Sequence, residues 1–281
     1  MANPSQEDQA LFERAAALID GADGLLITAG AGMGVDSGLP DFRGGQGFWG
    51  AYPALGRAKI RFESIASPDA FNEHTRLAWG FYGHRLNLYR QTLPHDGYRI
   101  LLDLADAMPR GAFVFTSNVD GQFQKAGFRD EEICEVHGSI HHLQCMKGCA
   151  GDIWPARDFA PTVDADECLL TSDLPTCPHC GGLARPNILM FGDWGWLDFR
   201  ERIQRARMKS WLAGVERPVV VELGAGLQIP TVRIMGQSLD TPLIRINKRE
   251  AQTALSRDVS LPLGALEGLR GIATALSALD D

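Results

Sequence analysis

The 281-residue chain has no apolar stretch approaching the roughly 18 residues a membrane span needs, so no membrane role is expected. Positive charge is the scarcer sign: 27 Lys and Arg against 35 Asp and Glu give a formal net charge of −8. That excludes a strongly basic nucleic-acid-coating protein, and no direct nucleic-acid partner is expected. The first ten residues hold no Lys or Arg and lack the basic region of a signal peptide, which makes a cytoplasmic protein the expectation. Cysteine is sparse, six in all; in a reducing compartment these read as metal ligands, buried thiols or reactive groups rather than disulfides. What is present is 45% hydrophobic and 22% charged side chains, an ordinary globular composition. The length suits one large α/β unit or a main domain carrying a smaller insert.

Short apolar runs alternate with helix-length patterns. Residues 25–28 read as a buried strand running into Gly30-Ala31-Gly32, and 112–116, 133–137, 188–191, 219–223 and 243–246 read as further strands. Ahead of the first, Leu11, Ala15, Leu18 and Ile19 share a helical face, with Ser5 placed to cap it and Gly21 to end it. The alternation calls for βαβ units and a parallel sheet. Two stretches break it: from Ser67-Pro68 to about residue 89, which reads as one long helix, and residues 144–184, rich in Gly, Pro and Asp and holding four cysteines.

Those four form two close pairs, Cys145 with Cys149 and Cys177 with Cys180. Two short chelating loops make a tetrahedral thiolate site, which zinc fills best. Four thiolates leave no open position for water, so the metal's expected role is to staple a segment poor in apolar residues. Cys134 and Cys168 fall outside the pairs and read as a core thiol and a loop thiol.

Gly30-Ala31-Gly32 after a strand, and Gly224-Ala225-Gly226 after another, expose bare backbone where a nucleotide can lie across a sheet edge, although each reads equally as a tight turn. Thr116-Ser117-Asn118-Val119-Asp120 follows a strand directly; it is placed either for a ligand or as a helix cap. His137 before Gly138 is a candidate general base, with His141 and His142 close by in sequence.

Taken in order, these blocks, together with Ser37-Gly38-Leu39-Pro40-Asp41-Phe42-Arg43, Phe191-Gly192-Asp193 and Asn247, resemble the sirtuin family of NAD-dependent protein deacylases over about residues 20–275. The resemblance implies a Rossmann-like parallel sheet with helices on both faces (1–45, 93–140 and 185–281) plus a smaller zinc-binding and helical domain (46–92 and 141–184). It implies NAD as co-substrate and structural zinc on Cys145, Cys149, Cys177 and Cys180. NAD would lie against Gly30, Ala31 and Gly32, with its adenosine end near Gly224, Gly226 and Asn247. Phe42 and Arg43 would close over the ribose side, Asp41 and Ser117 would also contact the cofactor, and Asn118 and Asp120 would line the nicotinamide pocket. His137 would deprotonate a ribose hydroxyl.

The products would be nicotinamide, O-acyl-ADP-ribose and free lysine. Acyl-lysine proteins or peptides would lie as a strand between Phe191-Gly192-Asp193 and Gln228-Ile229-Pro230, beside Ile188. Tyr82 and Arg85, three apart on one helix, are similar to the pair with which one class of the family binds acidic acyl groups; packing and a structural cation are the alternative. Gly34, Ser117, Ala225 and Gly226 stand where the family usually has Ser, Gln, Thr and Ser. That departure also fits NAD hydrolysis, ADP-ribosyl transfer or a non-catalytic ADP-ribose-binding module, and dependence of nicotinamide release on acyl-peptide separates these from deacylation.

Overall fold

The structure, a computed structural model, describes residues 6–41 and 44–279, the side chains of 44–47 excepted. The strands are β1 (Gly24–Ala29), β2 (Ala112–Thr116), β3 (Ile133–Glu135), β4 (Gly138–Cys145), β5 (Ile153–Pro155), β6 (Val163–Asp164), β7 (Leu169–Leu170), β8 (Ala184–Ile188), β9 (Pro218–Leu223), β10 (Leu243–Ile246) and β11 (Val259–Leu261). Six of them form the main sheet in the order β11-β10-β9-β1-β2-β3, every neighbouring pair parallel. All residues of β1 and β2 are buried, as expected of central strands covered on both faces. One face packs Phe12, Leu101 and Leu269 from the helices Gln6–Asp20, Asp96–Ala107 and Ala265–Ser277. The other packs Met208 and Met235 from Phe199–Leu212 and Thr231–Gln237 against Leu26, Phe113 and Val220. The α/β architecture with a parallel sheet is therefore as the sequence pattern implied.

The chain builds outward from β1 through β2 to β3, then returns to β9 on the other side. The crevice outside the carboxyl ends of β1 and β9 is thus a topological switch point, where open α/β sheets bind ligands. A second sheet, β5-β4-β8, is antiparallel, and the β6–β7 hairpin packs on the helix Thr75–Gln91. That contact is backbone on backbone: a Cβ at Gly80 would stand 1.9 Å from the Cys168 carbonyl oxygen. A second apolar core joins Phe48, Phe71, Trp79 and Phe81 to Leu39, Val119 and Met190 from loops at the crevice and to Ile188 at the end of β8.

Three expectations are corrected. The long helix from residue 68 to about 89 is two helices, Pro68–Glu73 and Thr75–Gln91, broken at His74 (φ −135°, ψ 51°). The Ser67 hydroxyl does cap the first, accepting from the Ala70 N–H at 3.3 Å. The strand expected at 188–191 is the tail of β8, which ends at Ile188, and the one expected at 133–137 ends at Glu135, leaving His137 in the turn to β4. The Ser5 cap lies outside the described residues. Among the described residues, no helix is long and apolar enough to cross a membrane.

Candidate active site

The two glycine loops meet backbone to backbone. The Gly30 N–H donates to the Leu223 carbonyl at 2.9 Å and the Gly32 N–H to the Gly224 carbonyl at 3.1 Å. A Cβ on Gly32 would lie 2.7 Å from the Gly224 Cα, and Gly224 itself has φ +58°. Gly32 and Gly224 therefore back one another, while Gly30, Ala31, Ala225 and Gly226 face a cavity of about 800 Å³ at the switch point.

The same cavity gathers Asp41, Ser117, Asn118, Asp120, His137, Tyr82, Arg85, Ile188 and Phe191. Gly192 (φ +66°) turns the chain just beyond Phe191 and is not part of the lining. Phe42 and Arg43 lie outside the described residues. Asn118 joins the two central strand ends: its Nδ2 donates to the Gly30 carbonyl at 3.0 Å, and its backbone N–H to the Thr116 hydroxyl at 3.0 Å.

Asp120 is buried, with Oδ1 accepting from the Gln122 N–H at 2.9 Å. Burial pushes its carboxyl up to about 6 and Glu135 adds to the rise, while the Gln122 amide and the Arg85 charge pull it down. Burial lowers the His137 imidazole, a backbone hydrogen bond with Ser117 partly offsetting the shift, so the ring is neutral and proton-accepting at pH 7. Its loop is fixed by the Leu189 N–H, which donates to the His137 carbonyl at 2.9 Å. At the far end, Arg85 is enclosed by the rings of Phe81, Tyr82 and Tyr89, with centroids 5.2, 5.7 and 5.3 Å from its Cζ.

Asn247 turns inward, not to the cavity. Its Nδ2 donates to the Ala225 carbonyl at 2.8 Å, and its Oδ1 accepts from the Arg249 and Glu250 N–H groups at 3.0 Å each. Arg233 holds the same loop, with Nε and Nη2 each 3.2 Å from the Ala225 carbonyl. Behind it the buried Glu222 accepts from Arg245 Nε at 2.5 Å and Nη2 at 3.0 Å. The loop of Ala225 and Gly226 is thus held from below by hydrogen bonds from Arg233 and Asn247, and Arg249 and Glu250 also line the cavity.

Sequence reasoning missed Arg249, Glu250, Tyr89 and, on the apolar rim, Leu189 and Leu227; Ile229, which completes that rim, was expected in the peptide cleft. For Tyr89 a signal existed, since it stands four residues after Arg85 on one helix face. The rim side chains and Phe191 are all exposed, an apolar margin wider than a scattered surface hydrophobe.

The four paired cysteines converge, with Sγ atoms within 4.8 Å of one another, Cys145 and Cys180 at 3.8 Å, and Cys149 and Cys177 at 3.6 Å. Sulfurs about 2.3 Å from a tetrahedral centre would stand about 3.8 Å apart, so the thiols fit structural zinc. Gly148 (φ +61°) and Gly181 (φ +67°) supply the left-handed turns of the two loops. Because Cys145 ends β4 and Ala184 opposite it opens β8, the metal would anchor the sheet that carries Ile188. A strong chelator is expected to release one zinc per chain and to lower the thermal midpoint by 10 °C or more; native mass spectrometry and calorimetry check both, and an unchanged midpoint after full metal loss would contradict a stapling role.

The Sir2 family profile matches residues 30–215, and the chain belongs to that family. A protein named NAD-dependent protein deacylase from Pyrococcus abyssi (strain GE5 / Orsay) is 35% identical over 164 residues, 58% of this chain and 59% of its own length. One so named from Aquifex aeolicus (strain VF5) is 30% identical over 169 residues, 60% of this chain and 62% of its own. The match thus spans about three fifths of these curated relatives. The fold is similar to that of a Sir2 homologue solved in complex with NAD, with a TM-score of 0.68 at 23% identity over 99% of this chain and 98% of the other.

Proposed function

We propose that this protein removes acyl groups from protein lysines at the expense of NAD, yielding nicotinamide, O-acyl-ADP-ribose and free lysine. The observation that carries the reading is the meeting of Asn118, Asp120 and His137 with two backbone-lined glycine loops in one cavity whose rim is apolar and exposed. The deacylase relatives and the NAD-bound structural neighbour support it. Bare amides at Gly30 and Ala31 suit a diphosphate, and the loop of Ala225 and Gly226 with Arg249 and Glu250 suits the adenosine end. Asn118 and Asp120 hold the carboxamide, and burial withholds water from the bond to be broken. The acyl oxygen displaces nicotinamide from the ribose; His137 then accepts the proton of a ribose hydroxyl as that oxygen attacks the acyl carbon so activated, and water adds as the lysine amine leaves. The acyl-peptide lies as a strand against Phe191 and Ile229, held chiefly by backbone bonds.

Mass spectrometry of NAD with acetyl-, succinyl- and myristoyl-lysine peptides tests this, with a no-peptide control and a His137→Ala enzyme. O-acyl-ADP-ribose formed only with peptide and lost in the variant is expected. Nicotinamide and ADP-ribose released equally without peptide would mean hydrolysis of NAD and an incorrect peptide cleft.

The acyl preference is for groups ending in a carboxylate. The support is that Tyr82 and Arg85 both reach the cavity, so a cation and a phenol face the space where the acyl chain ends. Arg85→Met is expected to lower kcat/KM for a succinyl-lysine peptide by about 10- to 100-fold relative to acetyl-lysine, the value of a charge-assisted hydrogen bond. Unchanged desuccinylation would sink the acidic-acyl reading.

A further inference from the structure

We propose that Tyr89 is a positioning residue: it clamps the Arg85 guanidinium in one orientation and so sets the preference for carboxylate-bearing acyl groups. The inference rests on the reading of Arg85 given above. Tyr89 Oη accepts from both Nε and Nη2 of Arg85, at 2.9 and 2.7 Å. That places the phenol oxygen on the Nε–Nη2 edge, one of the two edges with which a guanidinium meets a carboxylate in parallel hydrogen bonds, and fixes the direction of the other, the Nη1–Nη2 edge.

Phe81, Tyr82, Arg85 and Tyr89 stand at helical spacing on one face of Thr75–Gln91. The helix cannot rotate to relax them. Gly80 is pressed against the Cys168 carbonyl, and a Cβ at Gly83 would come within 2.9 Å of Pro161, so the β6–β7 insert fixes it from behind. The rings surround the cation without neutralising it, since they are uncharged. Arg85 retains its charge and loses its freedom. A free arginine loses much rotamer entropy when it is ordered, and fixing it in advance removes that cost from ligand binding.

Tyr89 also joins the two halves of the site. Its carbonyl accepts from Gln122 Nε2 at 3.2 Å, and the Gln122 N–H donates to Asp120 Oδ1. It lines both the main cavity and a smaller one of about 370 Å³ on the other side of Asp120. The link through Gln122 is made by the backbone and persists in any variant, whereas the phenol alone holds the fork; phenylalanine would fill the same volume without holding it.

The test compares Tyr89→Phe and Arg85→Met with the wild type on succinyl- and acetyl-lysine peptides. Tyr89→Phe is expected to reduce the succinyl-to-acetyl ratio of kcat/KM about tenfold, mainly by raising KM for the succinyl peptide. In the wild-type protein, the Arg85 Nε–H resonance is expected to exchange slowly and to shift with succinyl-lysine peptide but not with acetyl-lysine peptide, a readout that needs no variant to fold. If Tyr89→Phe slows both peptides in parallel, or leaves the ratio intact while Arg85→Met abolishes it, the clamp is wrong and the acidic-acyl reading stands. If Arg85→Met leaves the ratio intact, both are wrong.

Discussion

Gly138→Ala is expected to cost roughly 3 kcal/mol or more in stability and to reduce product formation at least a hundredfold. Gly138 sits at φ +77°, and a Cβ there would come within 2.1 Å of the Asn187 carbonyl oxygen and 3.2 Å of the Ile188 Cα. Neither is the end of a flexible side chain, so β4 and β8 must separate where they pair through Gly138 and Ile188. The movement falls on the turn that carries His137, the proposed base, because His137 precedes Gly138 and its carbonyl is tied to the Leu189 N–H. Gly38→Ala serves as the control: φ is +84°, yet nothing lies within 4 Å of the added methyl, so only the left-handed backbone penalty of about 1 kcal/mol applies. Urea midpoints for the pair and product assays separate strain from steric collision. Equal, small losses would show that the β4–β8 junction yields more easily than its geometry indicates.

That junction also shows what a sequence conceals. The runs at 219–223 and 243–246 are legible as strands because β9 and β10 are buried on both faces and read as continuous apolar stretches. Inside them, however, Glu222 and Arg245 stand opposite one another in register, and only the pairing of distant strands turns two isolated charges into a buried ion pair. β11 is three residues long, too short for any periodicity. His74 breaks the helix after residue 73 without Pro or Gly, so composition carried no warning. Strand ends at Glu135 and Ile188 depend on where the partner strand stops, which is non-local information.

The candidate site divides the same way. Residues adjoining a recognisable turn, such as Gly30, Asn118, Asp120 and His137, were legible because strand-end loops carry ligands in this architecture, and the cavity brings them together. Asn247 was legible as a position but not as a contact, since its amide is used up in holding Ala225 and the turn to Glu250. Arg233 gave no signal: seven residues beyond Gly226 on a short helix, its role depends on the Ala225 carbonyl being folded back against it.

Asp120→Asn is expected to make the protein more stable while disabling it. The carboxyl sits at about 6 in the folded chain against 3.8 for an unperturbed aspartate. A shift of about two units corresponds to about 3 kcal/mol by which the ionised form disfavours the native state. Because the folded value lies above the unfolded one, that cost is fully present above about pH 6 and disappears as the pH falls below about 4. Asparagine keeps the oxygen that accepts from the Gln122 N–H and removes the charge, so the variant's melting advantage should be largest at pH 7–8 and shrink to nothing near pH 4. The wild-type enzyme should in turn lose activity as the pH drops through about 6 and Asp120 takes up a proton. Calorimetric scans across pH, alongside nicotinamide release by both proteins, measure the two effects together. A melting advantage independent of pH would mean that packing, not charge, governs this position, and no advantage at pH 7 would mean that the Arg85 charge already compensates the buried carboxylate.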